Sequence, residues 1–83
     1  MPIFFFQVRD RFNDPVGDGK ELADLAAARQ FATVSARELI CSDVRNGILD
    51  LTGSIDIFDE ERIHLTTLKY AEAVLHVIPP GAG

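Results

Sequence analysis

Residues 24–47, DLAAARQFATVSARELICSDVRNG, decide the fold. Leu25, Ala28, Ala32, Ala36 and Leu39 recur at spacings of three and four, which places them on one face of a helix with Ile40 at its border. Asp24 suits the N-cap, because its carboxylate can accept a free N–H of the first turn. Gly47 stands where a left-handed residue closes a helix, and Arg45 favours the negative C-terminal end. The predicted helix therefore runs from Asp24 to Asn46. In a chain of 83 residues, a helix of this length must organise the core.

Working outward, Ile3 to Arg9 reads as a strand, rich in aromatic and β-branched residues. Asp10 to Gly19 reads as a loop, with Asn13-Asp14-Pro15 and Gly17-Asp18-Gly19 as turn signals. Val16 to Leu22 leaves room for only a short or irregular second strand. After the helix, Ile48 to Gly53 connects to a strand at Ser54 to Phe58, and Asp59 to Arg62 forms a tight polar turn. Ile63 to Lys69 is the fourth strand, with Ile63, Leu65 and Thr67 on one side and His64, Thr66 and Leu68 on the other. Tyr70 to Ile78 fits either a short helix, with Ala71, Val74, Leu75 and Ile78 on one face, or an extended run. Pro79-Pro80 stops either one, and residues 79–83 are expected to fray.

The expected fold is thus α+β: a small antiparallel ββαββ sheet in the order 2-1-3-4, with one long helix packed on one face. Alternation along the strands assigns Phe4, Phe6, Val8, Ile55, Ile57, Ile63 and Leu65 to the helix side. The opposite face then receives Ile3, Phe5, Phe58, Leu68 and Tyr70, and needs a cover: the segment Tyr70 to Ile78, or a second copy of the chain. Phe31 and Val34 lie off the main helix stripe, with Ala27 and Cys41. Phe31 can wrap onto the edge of the core or serve a contact. The helix spans about 32 Å and the strands only about 17–23 Å, so one helix end should overhang. The candidate interface is Ile3, Phe5, Phe58, Leu68, Tyr70, Phe31 and Val34.

Composition narrows the function. Apolar residues at 47% and charged residues at 25% describe an ordinary globular chain, read as one domain over residues 1–83. A net charge of −5, with eight scattered Lys and Arg, argues against nucleic-acid binding. One cysteine, Cys41, excludes an internal disulfide and a cysteine-rich zinc site, and fits a cytoplasmic protein. No run approaches the length that spans a bilayer. Ile3-Phe4-Phe5-Phe6 is too short for an apolar targeting core, and Met1-Pro2 reads as the start of a complete small gene product.

The chain also resembles a family of short bacterial proteins of unknown function. The likeness rests on the opening Met1-Pro2-Ile3-Phe4-Phe5-Phe6-Gln7-Val8-Arg9-Asp10. It continues through Gly19-Lys20-Glu21-Leu22-Ala23-Asp24-Leu25-Ala26-Ala27-Ala28-Arg29, similar to the family's Gly-x-Glu-Leu-x-Asp-Leu-x-x-Ala-Arg. Ala36-Arg37-Glu38-Leu39, Asp59-Glu60 and the run from Arg62 to Val74 complete it. Two positions depart from the pattern: Glu60-Glu61 replaces a glycine-bearing turn, and Lys69 stands where a proline is common. The resemblance implies no activity and transfers no catalytic residue.

No set of residues points to chemistry. His64 and His76 lack the converging partners a metal needs. Cys41 has no nearby histidine to activate it. Asp10, Asp14 and Asp18 lack the register, terminal Glu and flanking helices of a calcium loop. Gly17-Asp18-Gly19 lacks the Gly-Lys-Ser/Thr of a phosphate loop. No catalytic, cofactor-binding or metal-ligating residue is assigned, and no cofactor, nucleic acid or membrane is expected. The expected function is that of a non-enzymatic cytoplasmic interaction or regulatory module, homodimeric, with a further unknown protein partner possible. The alternative is an antitoxin-like partner-binding protein with a degraded ribonuclease-H-like core.

Overall fold

The computed structural model describes residues 1–10, 17, 19–74 and 80–81. Within them the chain forms β1 (Ile3–Arg9), β2 (Lys20–Glu21), α1 (Leu25–Arg45), β3 (Ser54–Phe58), β4 (His64–Lys69) and α2 (Tyr70–Ala73). The strands make one sheet in the order β2-β1-β3-β4, and every neighbouring pair is antiparallel. This is the expected α+β architecture. The second strand expected over Val16 to Leu22 is observed at Lys20–Glu21. Part of that span, most of the preceding loop, and Leu75–Pro79 with Ala82 and Gly83 lie outside the described residues.

Local chemistry sets the helix ends. Asp24 Oδ1 accepts the Ala27 N–H at 2.8 Å, satisfying a donor that the helix itself cannot pair. At the other end Gly47 N–H donates to Val44 O and Ile48 N–H to Asp43 O, both at 2.9 Å. Gly47 takes a φ of 78°, so this is the paired closure of a Schellman motif, with glycine at the left-handed position.

The core lies between α1 and one face of the sheet. Ala28, Ala32 and Ala36 are wholly buried and Ile40 is 8% exposed. Alanine at each turn lets the helix approach the sheet closely; the sheet supplies the bulk through Phe4, Ile55, Ile57 and Leu68, and α2 adds Tyr70. Leu39 packs at the margin. Leu25 points along the expected stripe but is 39% exposed, so burial begins one turn further in, at Ala28. Phe31 wraps onto the core edge, its ring centroid 4.9 Å from that of Phe6.

The fourth strand corrects the expected facing. Ile55 pairs with Leu68 and Ile57 with Thr66, and directly opposed residues share a face. Leu68 and Thr66 therefore lie on the helix side, while Ile63 and Leu65, expected there, are 55% and 39% exposed. The cause is register: a slip of one residue exchanges every side chain between faces, and the hairpin turn sets the register. That turn carries Arg62 at a φ of 66°, with Arg62 N–H on Asp59 O and Asp59 N–H on Ile63 O. It is a three-residue loop whose last residue is left-handed.

Tyr70 is corrected in the same way. It is 2% exposed and belongs to the core, not to the opposite face. Its N–H donates to Gly53 O at 2.9 Å. Arg37 Nε donates to Ala73 O at 2.8 Å, and Arg29 Nη1 to Thr66 Oγ1 at 3.0 Å, so α2 and β4 are tied to α1. Tyr70–Ala73 thus packs beside the long helix and covers none of the opposite face. The remainder of the expected covering segment, Leu75–Ile78, falls outside the described residues.

Candidate functional site: the open face of the sheet

Both helices lie on one side, and the strand registers arrange the other side in three rows. Phe5 opposes Phe58, which opposes His64. Gln7 opposes Asp56, which opposes Thr67. Arg9 opposes Ser54, which opposes Lys69. The face therefore grades from aromatic, through polar, to cationic along the strands.

His64 reaches this face through an irregularity. After Ile57–Thr66 the next pair is Phe58–His64, so Leu65 is an extra residue on β4. Strict alternation would turn His64 toward the helix with Thr66 and Leu68. The bulge re-aims it to the side of Asp56 and Thr67. Its ring then meets Phe58 edge-on, with centroids 5.7 Å apart.

Asp56 is the centre of the site. It is 6% exposed and is the one buried charged residue among those described. Thr67 Oγ1 donates to its Oδ1 at 2.6 Å, and Arg9 Nε lies 2.5 Å from its Oδ2. His64 Nε2 is 2.8 Å from Thr67 Oγ1 and 3.5 Å from Asp56 Oδ1. A carboxylate withdrawn from water needs charged or hydrogen-bonding partners, and the two strands flanking β3 supply them here: Arg9 from β1, Thr67 and His64 from β4. Because the Thr67 hydroxyl proton is directed at Asp56, its oxygen accepts from His64 Nε2–H. That polarity is the reverse of nucleophile activation, in which the imidazole accepts the hydroxyl proton. The chemistry the arrangement supports is the holding of side chains: it fixes Arg9 and His64, whose side chains are 65% and 50% exposed, in set positions on the surface.

The aromatic end is ordered too. The Arg62 guanidinium carbon stands 4.4 Å above the Phe5 ring, and Glu60 Oε1 accepts the Ile3 N–H at 2.9 Å. At the cationic end, Gln7, Arg9, Asp10, Thr52 and Ser54 line an open depression.

Of the seven expected interface residues, Ile3, Phe5 and Phe58 come together here, each half-buried. Leu68 and Tyr70 lie in the core. Phe31 is on the helix side, with Lys20 Nζ 4.9 Å from its ring centroid, and Val34 faces outward from the helix at 42% exposure. Sequence reasoning missed the group of Arg9, Asp56, His64 and Thr67. One signal was present: Asp56 interrupts the apolar run Ile55–Ile57–Phe58, marking a strand with one face that is not simply apolar. Among the described residues, no group of three or more His, Cys, Asp and Glu is placed to hold a metal ion. No described helix is long and apolar enough to cross a membrane.

These features define a class: a small α+β domain, covered by a helix on one side and presenting an ordered aromatic-to-cationic sheet face on the other. The model of a domain of unknown function (DUF6894) matches residues 3–71, and the chain belongs to that family. No curated protein and no solved structure matches the chain.

Proposed function

We propose that the protein is a non-enzymatic, homodimeric interaction module of the cytoplasm that engages a protein partner through the open sheet face. One observation carries the reading: a surface already organised in the free chain, where Asp56 fixes Arg9 and His64 beside the half-buried Phe5 and Phe58. Aromatic and arginine side chains held in place lose little entropy on association, which is why such groups dominate binding surfaces. The net charge of −5 and the exposed free thiol of Cys41 fit an acidic protein of a reducing compartment. The test is affinity capture from the native cell, using the full chain and its Phe58→Ala and Arg9→Ala variants side by side. A protein retained by the wild type and lost by both variants supports the reading. Equal retention by all three, or no retained protein, overturns the open face as the docking surface. Light scattering tests the dimer separately, and a strict monomer at tens of micromolar would remove that part.

A further inference from the structure

We infer that the occupant of the open sheet face is an acidic protein segment that also carries an apolar side chain; the inference names the partner's chemistry and rests on the docking reading above. The chain has 8 Lys and Arg against 13 Asp and Glu, so its surface as a whole is acidic. The open face departs from that balance. Its rows hold Arg9 and Lys69, both exposed, and the exposed Arg62 stands over Phe5. The one carboxylate within the rows, Asp56, is buried and engaged by Arg9 and Thr67. Acidic side chains border the face at its ends: Asp10 on the rim of the depression, Glu21 opposite Ile3, and Glu60 on the Ile3 N–H.

Charge and spacing select the occupant. Arg9 and Lys69 oppose Ser54 from the two neighbouring strands, so their backbones stand about 10 Å apart and a carboxylate above Ser54 lies between two cations. Phe5 and Phe58 lie four residues along the same strands, about 13 Å away. A purely apolar occupant would cover the aromatic row and leave the cations without a counter-charge, and a purely anionic one would leave the aromatic row in water. A segment with an apolar side chain and a carboxylate about 13 Å apart meets both rows, a reach of four extended residues. The net charge of −5 separates such a segment from a nucleic acid. A polyanion meets the repulsion of the whole molecule, whereas one or two carboxylates interact chiefly with the nearby cations, because charges beyond about 8–10 Å are screened.

Phage display on the immobilised full chain tests this, using random peptides of about twelve residues, long enough to span both rows. Enriched peptides are then titrated by fluorescence polarisation against the wild type, Lys69→Gln, Lys69→Glu and Phe58→Ala. They should combine acidic and apolar residues. Lys69→Glu and Phe58→Ala should each weaken them about tenfold, and Lys69→Gln about threefold. Lys69 is exposed, and circular dichroism checks that each variant remains folded. Enriched peptides that are neutral or basic, or that lose affinity on Phe58→Ala but not on Lys69→Glu, overturn the acidic partner and leave the open face as a docking surface. Peptides that bind every variant as they bind the wild type overturn both. If no peptide is enriched, or if labelled oligouridine binds and peptides do not, the acidic segment is overturned, and the capture experiment above judges the docking reading by itself.

Discussion

Replacing Gly53 by alanine should destabilise the protein, and the sign of its effect should reverse when Tyr70 is removed. A Cβ on Gly53 would stand 2.5, 2.8 and 2.9 Å from Cε2, Cδ2 and Cζ of Tyr70, closer than carbon atoms can approach. The ring has little room to retreat: Tyr70 is 2% exposed, and its own N–H is bonded to Gly53 O. Overpacking of a core costs about 1–3 kcal/mol, and a clash with three ring atoms belongs near the upper end. Gly53 does not occupy the left-handed region, so alanine fits its backbone and gains about 0.4–1 kcal/mol by restricting the unfolded chain. The net loss is then about 2 kcal/mol. At roughly 2.1 cal/mol/K of unfolding entropy per residue, 83 residues give about 0.17 kcal/mol/K, so the melting temperature should fall by about 12 °C. Tyr70→Ala alone should cost about 3–5 kcal/mol, like other large aromatic truncations. In that background the clash is gone, and Gly53→Ala should raise stability by the entropic term. Urea denaturation of the four proteins closes the cycle, with an expected coupling near 2.5–3 kcal/mol. If the two substitutions add within about 0.5 kcal/mol, the ring does not sit on Gly53 as described.

Three further outcomes follow from local geometry. Asp24→Ala should lower stability by about 1 kcal/mol through loss of the cap to Ala27 N–H, while Asp24→Asn should retain most of it; equal losses in urea denaturation would contradict the capping role. Arg62→Gly and Arg62→Ala both lose the contact with Phe5, but only glycine relieves the left-handed backbone, so the glycine variant should be the more stable by about 1 kcal/mol in chemical denaturation. Identical stabilities would show that the turn relaxes without cost. Asp56→Ala removes the acceptor shared by Thr67 and Arg9 and should cost roughly 2 kcal/mol, measured by urea denaturation; a loss below about 0.5 kcal/mol would mean that the buried carboxylate is not held as described.

The helix and two strands were legible because their signals are local. Asp24 and Gly47 bracket α1, and each acts within a few residues of itself: a carboxylate on a first-turn N–H, a left-handed residue on the last carbonyls. β1 and β3 fall on Ile3–Arg9 and Ser54–Phe58, the spans their β-branched and aromatic content marks. The 2-1-3-4 order followed from where a helix must return the chain. The fourth strand was less legible. His64 to Lys69 alternates too weakly to declare its own inward side, since Leu65 and Leu68 compete for it across an odd spacing.

The site was less readable still, because no residue in it is distinctive alone. Arg9, Asp56, His64 and Thr67 are separated by as many as 58 positions in the chain and meet only through strand register. What the sequence by itself determined is the long helix with its ends, the strands β1, β3 and β4, and the order of the sheet, since capping, turn chemistry and periodicity are short-range effects. What only the tertiary structure decided is which side of β4 faces the helix, where Tyr70 goes, and which polar groups share the open face. Those outcomes turn on a left-handed Arg62 and one extra residue at Leu65. A shift of a single position at either would exchange the two faces of the strand.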